Sequence, residues 1–194
     1  LSLRHLIEKA KKEQVPADVI KRAIDKVNSG ADESYTSVRY EGFASGGATV
    51  MVDCLTDNVN RTVSLVRNAF TKSKGKMGVS GCVSHMYEHL SVVIVKDMTE
   101  DEALEALLMG EVDAKEIEAE DGNVSIYGDP SDLYKIKDAI TSAKNDAEFI
   151  VDEVTYLPNE MVTLDGEDKE NFDKLLNMLD DVEDVQKVYH NVNL

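Results

Sequence analysis

The densest chemistry in this sequence is cationic. Arg61, Arg67, Lys72, Lys74 and Lys76 crowd one stretch with only Asp57 nearby. They run into the loop Lys74-Gly75-Lys76-Met77-Gly78-Val79-Ser80-Gly81, whose three glycines allow tight turns. Long cationic side chains beside bare glycine backbone suit contact with phosphate. The competing reading is an ordinary charged helix face. The loop could also offer backbone N–H groups to a phosphate, although no helix start follows it. Few aromatic residues accompany these cations, so base stacking in the manner of single-strand binders is not indicated.

The other reactive residue types form weaker patterns. His85 and His89, with Glu88 beside them, amount to half a metal site. A third and fourth ligand at recognisable spacing are missing, so structural histidines are expected. Asp and Glu abound from 97 to 184, but they recur on helix faces and turns, as on a solvated acidic surface. Cys54 and Cys82 make neither a disulfide framework nor a C-x-x-C pair. They read as buried reduced thiols of a cytoplasmic protein. Nucleophile elbow, Walker-type loop and dinucleotide fingerprint are all absent. The expectation is no catalytic residue, no metal, no cofactor and no small-molecule substrate. No apolar run approaches the roughly 18 residues of a membrane span; the longest, Val92-Val93-Ile94-Val95, has strand length.

The elements that must position these residues follow from periodicity. Leu3, Leu6, Ile7 and Ala10 share a helical stripe, and Val19, Ile20, Ala23, Ile24 and Val27 share another. Pro16 separates them and Asn28-Ser29-Gly30 ends the second, so an antiparallel helix pair is expected. Its outer faces carry Arg4, Lys9, Lys11, Lys12, Lys21, Arg22 and Lys26. Residues 31–38 read as a polar linker. Ala48–Leu55 reads as a strand. A helix capped by Asp57 or Asn58 follows, with Val59, Val63, Val66 and Phe70 inward. Arg61, Ser64, Asn68 and Lys72 face outward, and Arg67 lies at the border. Cys82–His89 reads as the next strand.

From 92 to 157 the order is strand, helix, strand, strand, helix, strand. A Thr99/Glu102 capping box and an Asp121-Gly122 hairpin turn mark two of the joints. Glu160–Leu164, a helix bearing Phe172, Leu175, Leu176 and Leu179, and Val185–Val192 add strand, helix, strand. Joined to 48–89 they make a second βαββαβ set. The expected fold is α+β. An N-terminal helical hairpin with its linker (1–38) precedes two ferredoxin-like βαββαβ domains. One is split (39–90 plus 158–194) and the other is inserted into it (91–157).

Net charge is −17, which seems to exclude nucleic acid. Its distribution does not. Residues 1–76 carry 13 basic and 9 acidic side chains, and residues 77–194 carry 8 and 29. Phosphate backbones meet local surface rather than average charge.

Several runs together resemble a known family. They are Arg39-Tyr40-Glu41-Gly42-Phe43 with Gly46-Gly47, LTDNVNRT at 55–62, Val66-Arg67, and the glycine spacing at 75–81. Val83-Ser84-x-Met86-Tyr87 and VQKVYHN at 185–191 complete the set. They resemble the YebC/PmpR family, most closely its YeeN-like branch, across essentially the whole chain. The resemblance implies three domains, the third inserted into the second. It implies DNA-binding transcriptional regulation for bacterial members. Other members, among them the mitochondrial translational activator of cytochrome c oxidase, resemble ribosome-associated factors that relieve stalling at proline-rich stretches. It also implies a basic, tryptophan-bearing segment ahead of Leu1, so this chain is expected to be N-terminally truncated. His85 stands where the family has an aromatic residue, which favours packing over ligation.

The functional expectation is a non-enzymatic, nucleic-acid-binding regulatory protein of the cytoplasm, foremost a DNA-binding transcriptional regulator. The alternative is a ribosome-associated translation factor on ribosomal or transfer RNA. An enzyme using a thiol or carboxylate pair is the reading of a different class. The expected contacts are Arg4, Lys9, Lys11, Lys12, Lys21, Arg22, Arg39, Arg61, Arg67, Lys72, Lys74 and Lys76. No membrane partner is expected.

Overall fold

Two helices open the chain, α1 (Leu3–Lys12) and α2 (Ala17–Asn28). Gln14 ends α1 by taking a left-handed φ of 60°. The Val15 N–H then closes back onto the Ala10 carbonyl at 2.9 Å. Pro16 starts α2, its carbonyl accepting from the N–H groups of Val19 and Ile20. The computed structural model describes residues 3–28 and 35–193, the side chains of Arg4, His5, Lys9, Lys26, Val27 and Asn28 excepted. The expected stop at Ser29-Gly30 lies outside the described residues. The chain divides into two compact units, Leu1–Thr36 and Ser37–Leu194. Within the first, the apolar stripe remains half open, with Leu3 58% and Leu6 48% exposed.

Beyond α2 the elements run β1 (Thr36–Phe43), β2 (Thr49–Thr56), α3 (Val59–Lys72), β3 (Lys76–Met77), β4 (Tyr87–Lys96), α4 (Glu100–Met109), β5 (Glu116–Glu120) and β6 (Asn123–Gly128). Then come α5 (Leu133–Ala143), β7 (Phe149–Pro158), β8 (Val162–Thr163), α6 (Gly166–Asp180), β9 (Val185–His190) and β10 (Val192–Asn193). The first sheet has the order β3-β1-β2-β9 and the second β5-β6-β4-β7; β8 and β10 pair in parallel. In the second sheet all neighbouring strands pair antiparallel.

Each sheet has its own core. Val50, Val52 and Cys54 of β2 pack against Val66 and Phe70 of α3 and Phe172, Leu175 and Leu179 of α6. Val93, Val95, Val124 and Ile126 of the second sheet pack against Ala103, Ala106 and Leu107 of α4 and Ile136 and Ile140 of α5. Burying a large apolar side chain is worth about 1.5–3 kcal/mol, so these stripes rather than helix propensity hold α3 to α6 in place. Met51, on the other face of β2, joins Val83 and Tyr87, with Tyr156 and Tyr189 packed around them. That small cluster lies where the two sheets meet.

The local signals hold where they rest on backbone chemistry. Thr99 and Glu102 form the reciprocal capping box at the start of α4. Asp121 and Gly122 both take left-handed φ, 50° and 79°, in the turn between β5 and β6. Of Asp57 and Asn58, it is Asn58 that caps α3, accepting from the Arg61 N–H at 3.0 Å.

Three expectations need correction. Residues 36–38, read as linker, begin β1. Its Val38 and Tyr40 pack under α3 and α6, while Arg39 and Glu41 serve the opposite face. Charged residues at alternate positions therefore hid a strand. Cys82–His89 is not one strand: Cys82 and Val83 turn, Ser84–Met86 make one 3-10 turn, and β4 starts at Tyr87. All ten residues of β4 run on in the second sheet, so the expected boundary at 90/91 falls inside a strand. Finally, only Val162–Thr163 of the expected strand 160–164 forms. In the first sheet β1 lies between β3 and β2, and β8 pairs with β10 instead. The first sheet is thus not a second βαββαβ set.

Candidate nucleic-acid interface

Helix α3 sits on the first sheet with Thr62, Val66, Ala69 and Phe70 buried. Its other side presents Asn60, Ser64, Arg67, Asn68, Thr71 and Lys72 to solvent. From Asn58 to Tyr87 there is no Asp or Glu over thirty residues, in a chain with 38 acidic residues out of 194. Lys72 closes the helix, where a cation is also favoured by the helix dipole. β3 follows at once and forms the edge of the sheet.

The acidic rear reaches into this surface and takes two of its five cations. Arg61 donates to Asp57 at 2.8 Å and to both oxygens of Asp184 at 2.8 and 3.0 Å. Asp184 is buried just before β9 and also accepts from the Thr62 hydroxyl at 2.7 Å. The Thr62 bond and the Arg61 pair outweigh the burial penalty and hold its carboxyl below the usual range. Lys74 is paired with Glu167 of α6. Arg67, Lys72 and Lys76 are exposed and, among the described residues, have no carboxylate partner. In the first unit Lys11, Lys12 and Lys21 are exposed, and Arg22 is paired with Asp18 one turn away. The side chains of Arg4 and Lys9 lie outside the described residues.

Arg39 is spoken for by the fold itself. Its guanidinium grips Asp53 of β2 in two bonds, 2.5 and 2.7 Å, and lies over the Tyr156 ring at 4.1 Å. Asp53 raises its pKa further, so it stays charged. Tyr156 stacks on His89 with centroids 4.2 Å apart and meets Tyr189 edge-on at 5.1 Å. Burial and the nearby Arg39 charge lower the His89 pKa. Arg39 therefore fastens one sheet to the other instead of facing a phosphate.

The glycine loop does hold an anion, but it is the chain's own. Glu41 is 3% exposed and accepts from the N–H groups of Gly81, Val83 and Ser84 at 2.8, 2.7 and 2.7 Å. Burial alone would raise its pKa; the three amides outweigh that and hold it lowered. Of the loop's own amides, Gly81 is thus taken by the Glu41 carboxylate, Gly78 by the Glu41 carbonyl at 2.8 Å and Gly75 by the Phe70 carbonyl at 2.8 Å; Val83 and Ser84 lie just beyond the loop. Neither Glu41 nor Asp184 was legible as functional in the sequence. The only signal for Glu41 is a carboxylate at an alternate position inside a run of strand formers.

The remaining candidates fall to structural roles. His85 lies in the 3-10 turn with Nδ1 3.2 Å from the Gly81 carbonyl, and His89 is stacked in β4. Among the described residues no three His, Cys, Asp or Glu side chains come together to hold a metal ion. Burial pushes the Cys54 thiol up to about 11 and raises that of Cys82, away from the thiolate that thiol chemistry needs. Among the described residues no helix is long and apolar enough to cross a membrane. The Tyr87 hydroxyl donates to the Thr49 carbonyl at 3.0 Å, and Asn191 accepts from the Thr49 N–H at 2.8 Å. Thr49 and Asn191, with Phe43, Gly47, His85 and Asn159, line a cavity of ≈610 Å3.

Comparison with known proteins gives one consistent answer. The family model described as TACO1/YebC second and third domain matches residues 35–192. A probable transcriptional regulatory protein of Vibrio cholerae serotype O1 is 48% identical over 194 residues, 100% of this chain and 81% of its own length. One from Pseudoalteromonas atlantica is 49% identical over 191 residues, covering 98% and 79%. The crystal structure of a conserved hypothetical protein from Aquifex aeolicus superposes with a TM-score of 0.77 at 36% identity, covering 98% of this chain and 78% of that one.

Proposed function

The chain belongs to the TACO1/YebC family, and on that premise we propose that it is a non-enzymatic, nucleic-acid-binding regulatory protein, a DNA-binding transcriptional regulator of the cytoplasm. One observation carries this reading. The single long acid-free stretch of a strongly acidic chain folds into α3 and its exit, with Arg67, Lys72 and Lys76 exposed and unpaired by carboxylates among the described residues. Asn60, Ser64, Asn68 and Thr71 on the same helix add neutral hydrogen-bonding groups of the kind that meet phosphates and base edges. The names of the relatives support regulation of transcription. Lys11 and Lys21 serve as additional phosphate contacts. Arg22, Arg39, Arg61 and Lys74 are set aside for their ion pairs. We read three domains: the helical pair, the first sheet with α3 and α6, and an inserted ferredoxin-like βαββαβ unit that begins at Tyr87.

A second reading is favoured by the charge of the rear. Its 29 acidic against 8 basic residues would be repelled by duplex DNA but suit basic ribosomal proteins, as in a ribosome-associated translation factor. One experiment separates the two. Binding to promoter duplex and to purified ribosomes is measured from 50 to 300 mM salt for the wild type and for Arg67→Glu with Lys72→Glu. Tight duplex binding at physiological salt, lost in the variant, is the expected result. Saturable ribosome binding at that salt with only steeply salt-sensitive duplex binding would sink the transcriptional reading.

A further inference from the structure

The cavity beside the first sheet is built from residues that the interface on α3 does not use. Along β1 the side chains alternate: Val38 and Tyr40 enter the core beneath α3 and α6, so Arg39, Glu41 and Phe43 belong to the opposite face. The cavity opens on that opposite face. Its ≈610 Å3 falls within the ~300–1,000 Å3 common to small-ligand sites. One wall is Phe43, aromatic and 39% exposed. Pairing of β1 with β3 sets Lys76 directly across from Phe43, so the two side chains share a face. Gly47, at a φ of 80°, lines the cavity with bare backbone, and a Cβ built there would meet nothing within 4 Å.

The polar groups define what fits. Asn191 commits its side-chain oxygen to the Thr49 N–H, which leaves its NH2 as a donor. Asn159 lines the same cavity, and its side-chain amide makes no hydrogen bond among the described residues. His85, in the tautomer that donates Nδ1–H to the Gly81 carbonyl, keeps Nε2 as an acceptor. Glu160 on the lining would repel an anion inside. The lining thus suits a planar, uncharged group rich in hydrogen-bonding edges, and any phosphate attached to it would lie outside, by Lys76.

We propose that this cavity takes an unpaired nucleobase stacked on Phe43, its phosphate held by Lys76. The site rests on the nucleic-acid reading and adds to it. Lys72 ends α3 on one side of the sheet and Lys76 stands on the other, across the edge strand β3. A single strand can follow phosphate contacts over that edge, whereas a duplex must first release a base. The sequence suggested no stacking because Phe43 lies far from the lysines along the chain; strand pairing brings them together.

The chain contains no tryptophan, so Phe43→Trp installs a sole tryptophan reporter on the wall, excited apart from the tyrosines. It is titrated with adenosine monophosphate, inorganic phosphate, and 12-nucleotide RNA and DNA strands and their duplexes. Quenching by the mononucleotide and both single strands, but not by phosphate, is expected. Anisotropy then compares wild type with Phe43→Ala, which should bind single strands on the order of tenfold more weakly while keeping its duplex affinity. Asn159→Ala, at an exposed position, provides a second variant if Phe43→Ala fails to fold, and it too should weaken single-strand binding. Unchanged single-strand affinity in the folded variants, or a reporter that no base quenches, overturns the base site and leaves duplex binding by α3 untouched. Quenching by the mononucleotide in a protein that binds no duplex or ribosome would uphold the cavity and sink the regulatory reading. A preference of the reporter for RNA or for DNA identifies which strand supplies the base.

Discussion

At the scale of single residues, the motif runs turn out to be mostly joinery. Glu41 ties β1 to the loop before β4, Arg39 ties β1 to β2 and to the second sheet, and Asp184 ties the start of β9 to α3. Glu41→Gln replaces an acceptor with an amide whose NH2 faces backbone N–H groups. Leaving such buried donors unsatisfied costs about 1–3 kcal/mol. The pH dependence has a definite sign. A lowered carboxylate pKa stabilises the fold above the unfolded value, about 4.3 for Glu, and that contribution fades as pH falls through the folded value. Urea unfolding at pH 7 should therefore show the variant less stable by about 1–3 kcal/mol, with the gap narrowing as pH falls below the unfolded value of about 4.3. An equal gap above and below that value would mean that Glu41 acts through shape alone. Hydrogen exchange of the Gly81, Val83 and Ser84 amides should also quicken in the variant.

At the scale of elements, each piece carries a device that can be removed by itself. Asn58→Ala deletes the cap of α3 and should cost about 1 kcal/mol without altering the exposed cations. The Arg67→Glu, Lys72→Glu pair does the reverse: thermal unfolding stays near wild type, and the slope of log affinity against log salt falls by about two, one per lost phosphate contact. Arg61→Glu is a poor probe of binding, because it sets a carboxylate against Asp57 and Asp184 and should lower Tm as well. β5 is an edge strand whose Glu116, Glu118 and Glu120 alternate with Ile117, so all three carboxylates share one exposed side. Charge on an edge discourages pairing with another chain. Changing all three to Thr should leave the fold intact and produce concentration-dependent association in sedimentation velocity. A monomeric triple variant would show that the edge is protected otherwise.

At the scale of the whole molecule, legibility in the sequence tracks how local each cause is. The capping box of α4, the β5–β6 turn and the apolar stripe of α6 are set by neighbours in the chain, and they were readable; the α3 stripe was readable at Val66 and Phe70, whereas Val59, expected inward, is 41% exposed. β1 was not, because its alternate positions carry Arg39 and Glu41 for partners 14 and about forty residues away. For the same reason the five-cation cluster read as one surface: Asp184 and Glu167, which neutralise Arg61 and Lys74, lie 123 and 93 residues on. Long-range closure therefore moved charge out of the candidate site and left fewer free cations than composition suggests. It also sets two opposite responses to salt. A net charge of −17 strains the compact state by self-repulsion, which ions screen. Nucleic-acid binding loses affinity with the same ions, because bound phosphates must recover their counterions. Raising KCl from 50 to 500 mM should therefore raise Tm while it weakens duplex binding. Pairs such as Lys137–Asp152 and Lys187–Glu153 are themselves partly exposed, and salt weakens them too. A Tm that falls with salt would show that these cross-element pairs outweigh the net repulsion, and that the acidic rear is stabilised by its few cations rather than strained by its many carboxylates.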